Sequence, residues 1–163
     1  MNSSNAKYER GRRMNSLICL YQKAENSTDN AKAEEIFRHI IDTVSEKTAE
    51  KSDNTELKAA ALSCMKMFII SKFADTAFAD MSIKYFEALI DRNACDAELY
   101  DSYVFVLETS YQYEKAFCVL KNMLLDERTK DIALSYLQSP VYAIEGLQTN
   151  RDCIEYKKQR GTS

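Results

Sequence analysis

Glycine and proline are nearly missing from this chain, which holds three Gly and one Pro in 163 residues. Ordinary usage would give roughly a dozen and about eight. No glycine stands between Gly11 and Gly146. Sheets joined by tight turns need Gly, Asn-Gly or Pro at their corners, so a β-meander or barrel is excluded. A Gly-rich phosphate loop is excluded as well, because the dinucleotide fingerprint and the P-loop both require clustered glycines. Tryptophan is absent, and histidine occurs once, as His39. One imidazole without partners at a recognisable spacing makes no Ser/His/Asp or Cys/His constellation; His39, between Arg38 and Ile40, reads as a solvated helix-surface residue. Neither H-E-x-x-H nor a D-x-D-x-D-G loop occurs. These absences lead to the expectation of a protein that is not an enzyme and uses no cofactor or metal.

Long apolar runs are lacking too. The most apolar stretch, residues 59–73, is broken by Lys66 and Lys72 and is too short to span a bilayer. The first 13 residues are polar and lack the apolar core of a secretory signal, so the sequon Asn26-Ser27-Thr28 carries little weight. The five cysteines are odd in number and contain no C-x-x-C, which argues against a zinc site. Cys19, Cys64 and Cys118 fall in helical segments and read as buried free thiols. A soluble, cytoplasmic protein in a reducing compartment is expected, with no membrane partner. The net charge of −3 sets the phosphate-neutralising part of nucleic-acid binding against this chain. Only the basic termini favour it: Lys7, Arg10, Arg12 and Arg13 at the start, and Arg151, Lys157, Lys158 and Arg160 at the end. Both read as solvated tails.

What the chain does have is apolar residues at helical spacing almost throughout, with 45% hydrophobic and 29% charged residues excluding wholesale disorder. The pattern predicts an all-α fold of about seven or eight helices. The first, over 8–24, carries Leu17, Leu20, Tyr21 and Ala24 on one face; the second, over 31–47, carries Ala33, Ile36, Phe37, Ile40, Ile41 and Val44. Residues 45–56 are polar and alternate in charge, either a frayed helix end or a mobile loop. Later helices are expected over 55–73, 75–91, 97–110 and up to 125, with Thr55 and Asp96 as N-caps. A seventh stops before Pro140 and an eighth runs to about 158. Short connections make consecutive helices antiparallel neighbours.

An internal repeat adds specificity. Ala116, Leu120 and Met123 form a small–large–large triplet that recurs 34 residues earlier as Ser82, Phe86 and Leu89. Tyr100, Tyr103, Val104 and Leu107 match Lys66, Ile69, Ile70 and Phe73 at the same offset, and a third copy lies at Ala33, Phe37 and Ile40. This pattern over residues 15–125 resembles a degenerate tetratricopeptide repeat. Val104 replaces the family's usual Gly, Arg128 its usual Pro, and Lys66 a large apolar residue. The resemblance implies antiparallel helical hairpins stacked as a short right-handed α-solenoid. Its parts would be a flexible polar N-terminus over 1–13 and a single domain over 14–159. The hairpins would span 14–47, 55–91 and 97–125, with capping helices over 129–158.

By the same resemblance, the exposed face of each hairpin's first helix lines an inner groove. The candidate groove residues are Gln22 and Asn26, Met67 and Ser71, and Asp101, Phe105 and Glu108; a one-residue register shift would turn Met67 and Phe105 into packed core. Such a groove, apolar at one end and acidic at the other, suits another protein's peptide or helix with basic residues and apolar anchors. The expected role is an adaptor or scaffold. The alternatives are a structural subunit of a larger protein or ribonucleoprotein assembly, or an RNA-associated protein, since part of the pattern also looks like the pentatricopeptide repeat.

Overall fold

The computed structural model describes residues 17–145 of the chain. The N-terminal segment expected over 1–13, both basic termini and the last helix beyond 145 lie outside the described residues. Among the described residues there are eight α-helices and no strand. They divide after Cys95 into two compact units.

In the first unit, α1 (17–25) buries Leu17, Tyr21 and Ala24, spaced by four and three residues on one face. Next, α2 (Asn30–Ser45) begins at Asp29, whose carboxylate accepts from the Lys32 amide at 3.2 Å. It buries Ala33, Phe37, Ile40, Ile41 and Val44, and Phe37 meets Tyr21 with ring centroids 5.8 Å apart. The third helix, α3 (Asn54–Ile70), is the central one. Ten of its 17 residues are buried, because it packs against both α2 and α4 (Thr76–Asp91). The Ser82 hydroxyl of α4 donates to the Ala61 carbonyl of α3 at 2.8 Å, with both residues fully buried. Only small side chains let two helices come that close. Lys66, in a large apolar position of the repeat, rises along the surface of α3, and its ammonium reaches Glu25 at 3.1 Å.

The polar stretch at 45–56 is held, where mobility was expected. It contains a single 3-10 turn (Ala49–Lys51), and its Ser52 is 3% exposed. The Arg92 guanidinium, 40 or more residues away in sequence, donates to the carbonyls of Ala49 and Ser52 at 2.5 and 2.6 Å. Lys47 pairs with Glu56 at 2.6 Å. The helix-three cap also differs from expectation. Asp53, not Thr55, is the N-cap, because Glu56 at the third helical position completes a reciprocal capping box with it.

Three helix ends explain how the chain turns without glycine. After α3 two consecutive residues have positive φ, Lys72 at 54° and Phe73 at 63°, and after α4 and α5 (Ala97–Thr109) one does, Asn93 at 54° and Tyr111 at 61°. Each end makes the paired bonds of a Schellman motif: Phe73 N–H to Phe68 O with Lys72 N–H to Ile69 O, Ala94 to Leu89 with Asn93 to Ile90, and Gln112 to Leu107 with Tyr111 to Glu108. At the first, Phe73 (φ 63°) lays its ring against Phe68 at 5.3 Å, the apolar contact that often accompanies the motif.

In the second unit, Asp96 caps α5, accepting from the Leu99 amide at 2.9 Å. A second helix, α6 (Tyr113–Met123), buries Ala116, Cys118, Val119, Leu120 and Met123. Two short helices, α7 (Lys130–Leu137) and α8 (Pro140–Glu145), both pack on α6. Pro140 stands at the first position of α8, where its missing N–H costs nothing.

The helix starts do not recur every 34 residues: α4 begins at Thr76 and α6 at Tyr113, 37 residues on. Counted from those starts, Ala79, Ile83 and Phe86 are the counterparts of Ala116, Leu120 and Met123, one turn before the Ser82 triplet. Both triplets of α4 are buried. A small–large–large pattern on a well-buried helix therefore matches equally well at two registers one turn apart.

Candidate interaction site

Helix α5 turns Leu99, Tyr103, Val104, Val106 and Leu107 inward. That leaves Glu98, Asp101, Phe105 and Glu108 at spacings of three, four and three, a single helical stripe. Glu98 and Asp101 are exposed, while Phe105 and Glu108 are half-buried. The stripe already has occupants from its own unit. Tyr136 of α7 donates its hydroxyl to an Asp101 carboxylate oxygen at 2.8 Å, and also lies 3.3 Å from the Asp101 carbonyl. Tyr142 of α8 donates to Glu108. The Tyr142 ring is 3% exposed, stacked on Phe117 at 5.8 Å with its neighbour Tyr113 edge-on at 6.4 Å. Burial first, and then the carboxylate each one bonds, push both phenols above the ordinary tyrosine range. Both stay protonated donors at neutral pH.

Of the expected groove residues, the second unit thus brings Asp101, Phe105 and Glu108 onto one face. The others belong to the first unit. Gln22 and Asn26 are exposed at the end of α1, where the Asn26 side-chain amide donates to the Gln22 carbonyl at 2.9 Å and caps that helix. Ser71 is half-buried and serves the turn after α3, donating to Phe68 O at 2.7 Å and accepting from the Asp75 amide at 3.1 Å. Met67 is 2% exposed and lies in the core, so it offers no surface. The reason is that α3 is covered by α2 and by α4 and has little open face there. Tyr136 and Tyr142 were not anticipated. They lie 35 and 34 residues from Asp101 and Glu108, on helices that follow α6, and no local pattern in the sequence pointed to them.

The first unit also carries a cleft of about 540 Å³ between the connection after α2 and one face of α4, with Met81 and Tyr85 along one side and Lys47 and Lys84 at its edge. Lys47 is already engaged by Glu56. Among the described residues, no group of three or more His, Cys, Asp or Glu side chains is placed to hold a metal ion. Cys64 is fully buried and burial alone pushes its thiol up to about 12, whereas Cys19 is exposed. Cys118, expected as a free thiol, is disulfide-bonded. No described helix is long and apolar enough to cross a membrane.

Compared with protein families, with curated proteins and with solved structures, the chain matches none.

Proposed function

We propose that this chain is a non-catalytic protein–protein interaction module, an adaptor or scaffold of tetratricopeptide-like hairpins. Its partner is a peptide or helix segment carrying basic residues and apolar anchors. The observation that carries the reading is the α5 stripe, in which an exposed carboxylate, Asp101, and a half-buried one, Glu108, flank the half-buried ring of Phe105 at one-turn spacings. A helical or extended segment with cations and an apolar residue at matching intervals would complement it. Charge balance supports the same partner. Residues 96–145 hold nine carboxylates against four cations, a net −5, which steers a basic segment inward and repels phosphate. In this reading the protein works without cofactor.

The test is a pull-down with the full chain from native lysate, divided into nuclease-treated and untreated halves, beside an Asp101→Asn/Glu108→Gln variant. A nuclease-resistant protein partner that the variant loses is the expected result. A partner retained in full by the variant, or one lost with nuclease, would refute the assignment. One observation favours the structural-subunit alternative. Tyr111 and Leu125 leave large apolar side chains 80% and 85% exposed, which an assembly could cover. A subunit deprived of its assembly should self-associate during sedimentation, whereas a groove binder should sediment as a monomer.

A further inference from the structure

The α7–α8 segment is lightly anchored. Beyond Thr129, whose buried hydroxyl donates to the Met123 carbonyl at 2.8 Å, the buried side chains among its described residues are Ala133 and Tyr142. Leu134 of α7 is 44% exposed. Two phenol–carboxylate bonds to α5 and the Tyr142 ring in its aromatic nest fasten it. Elements with little buried apolar area open at low cost relative to the fold around them. The carboxylates that take these phenols, Asp101 and Glu108, belong to the stripe that a basic partner would address.

From this we infer that α7–α8 is an intramolecular lid: Tyr136 and Tyr142 occupy the acceptors of α5 in the partner's absence, and a cationic segment gains full access only when the lid opens. The inference rests on the α5 stripe being the binding face. Each phenol is a neutral donor to a charged acceptor, so it shields the carboxylate without neutralising it. A lysine or arginine donor therefore competes on favourable terms, bringing the charge that the tyrosine lacks. Removing the hydroxyls alone would leave the rings and their packing intact and take away only the latch.

The test compares the full-length chain with its Tyr136→Phe/Tyr142→Phe variant by amide hydrogen exchange and by binding of fluorescent decalysine at low salt. Losing two bonds to charged acceptors should speed exchange across residues 130–145 by roughly 10- to 100-fold while leaving α5 and α6 protected. Decalysine should bind the variant several-fold more tightly. Unchanged exchange over 130–145 would overturn the lid, and faster exchange without tighter binding would overturn its shielding role. The reading beneath it fails separately: decalysine binding Asp101→Asn/Glu108→Gln as tightly as the native chain would show that α5 is not the face, and would remove the shielding role with it.

Discussion

Lys72 offers a direct measure of what the scarcity of glycine costs this fold. Its backbone sits at φ 54°, the first of two positive-φ residues that end α3, and its side chain is exposed. For a residue with a Cβ, that conformation costs roughly 1–2 kcal/mol through the clash with the following carbonyl oxygen. Glycine removes the clash but gives the unfolded chain more freedom, at about 0.4–1 kcal/mol. Both bonds of the motif run through backbone amides that glycine keeps. Lys72→Gly should therefore stabilise the protein by about 0.5–1 kcal/mol, a rise in Tm of about 1–4 °C for a chain this long. Lys72→Ala keeps the Cβ and should stay within about 0.5 kcal/mol of the native value. Phe73→Gly should gain nothing, because the ring it deletes packs on Phe68 at 5.3 Å. Asn93→Gly should gain less than Lys72→Gly, since asparagine already tolerates the left-handed region. Urea unfolding followed by circular dichroism at 222 nm resolves differences of this size. A Lys72→Gly protein no more stable than Lys72→Ala would refute the strain argument for these helix ends.

Three further outcomes are expected. Ser63 is fully buried in α3 with no hydrogen-bond partner for its hydroxyl, so Ser63→Ala should be neutral or stabilising by about 1 kcal/mol, whereas Ser82→Ala, which loses the bond to Ala61, should cost about 1 kcal/mol; denaturant titration of the pair decides it. Arg92→Ala should lower stability by about 1–2 kcal/mol and raise amide exchange over residues 46–53; unaltered exchange there would mean that the guanidinium does not hold the connection. Burial raises the Cys64 thiol from an ordinary 9.0 to about 12, so the folded state keeps a proton that the unfolded chain releases. The resulting stability is complete below about pH 9 and is lost as pH climbs toward 12. Unfolding free energies measured from pH 8 to 11 should fall in the native protein and fall less steeply in Cys64→Ala.

Much of the architecture was legible along the chain because helix formation is written in local periodicity. Of the predicted stripes, Leu17, Tyr21 and Ala24 bury with Leu20 half-buried, and Ala33, Phe37, Ile40, Ile41 and Val44 bury with Ile36 half-buried. Asp96 caps α5 with its own side chain, and Pro140 opens the last described helix. The chemistry of a cap reaches only three residues, so sequence neighbours suffice to specify it. Even there, local signals can compete. Thr55 and Asp53 are both short and polar, and it was Glu56, one turn on, that selected Asp53.

Other features depended on residues far apart in the chain. Met67 belongs to a helix covered from two sides, and no count of its own neighbours tells a groove position from a core position when nearly every face is apolar. The repeat register was ambiguous by one turn for a related reason: Ala79 and Ser82 both satisfy the same pattern. Composition marked residues 45–56 as loose, but the cation that holds them comes from Arg92, beyond two intervening helices. Asp101 and Glu108 were identified as an acidic face from sequence, yet their tyrosine donors lie on helices that follow α6. Periodicity and capping are interactions within a turn or two of helix, and the sequence alone determined them. Which faces are covered, and which carboxylates are already satisfied, depends on where separate helices meet, and only the tertiary structure decided that.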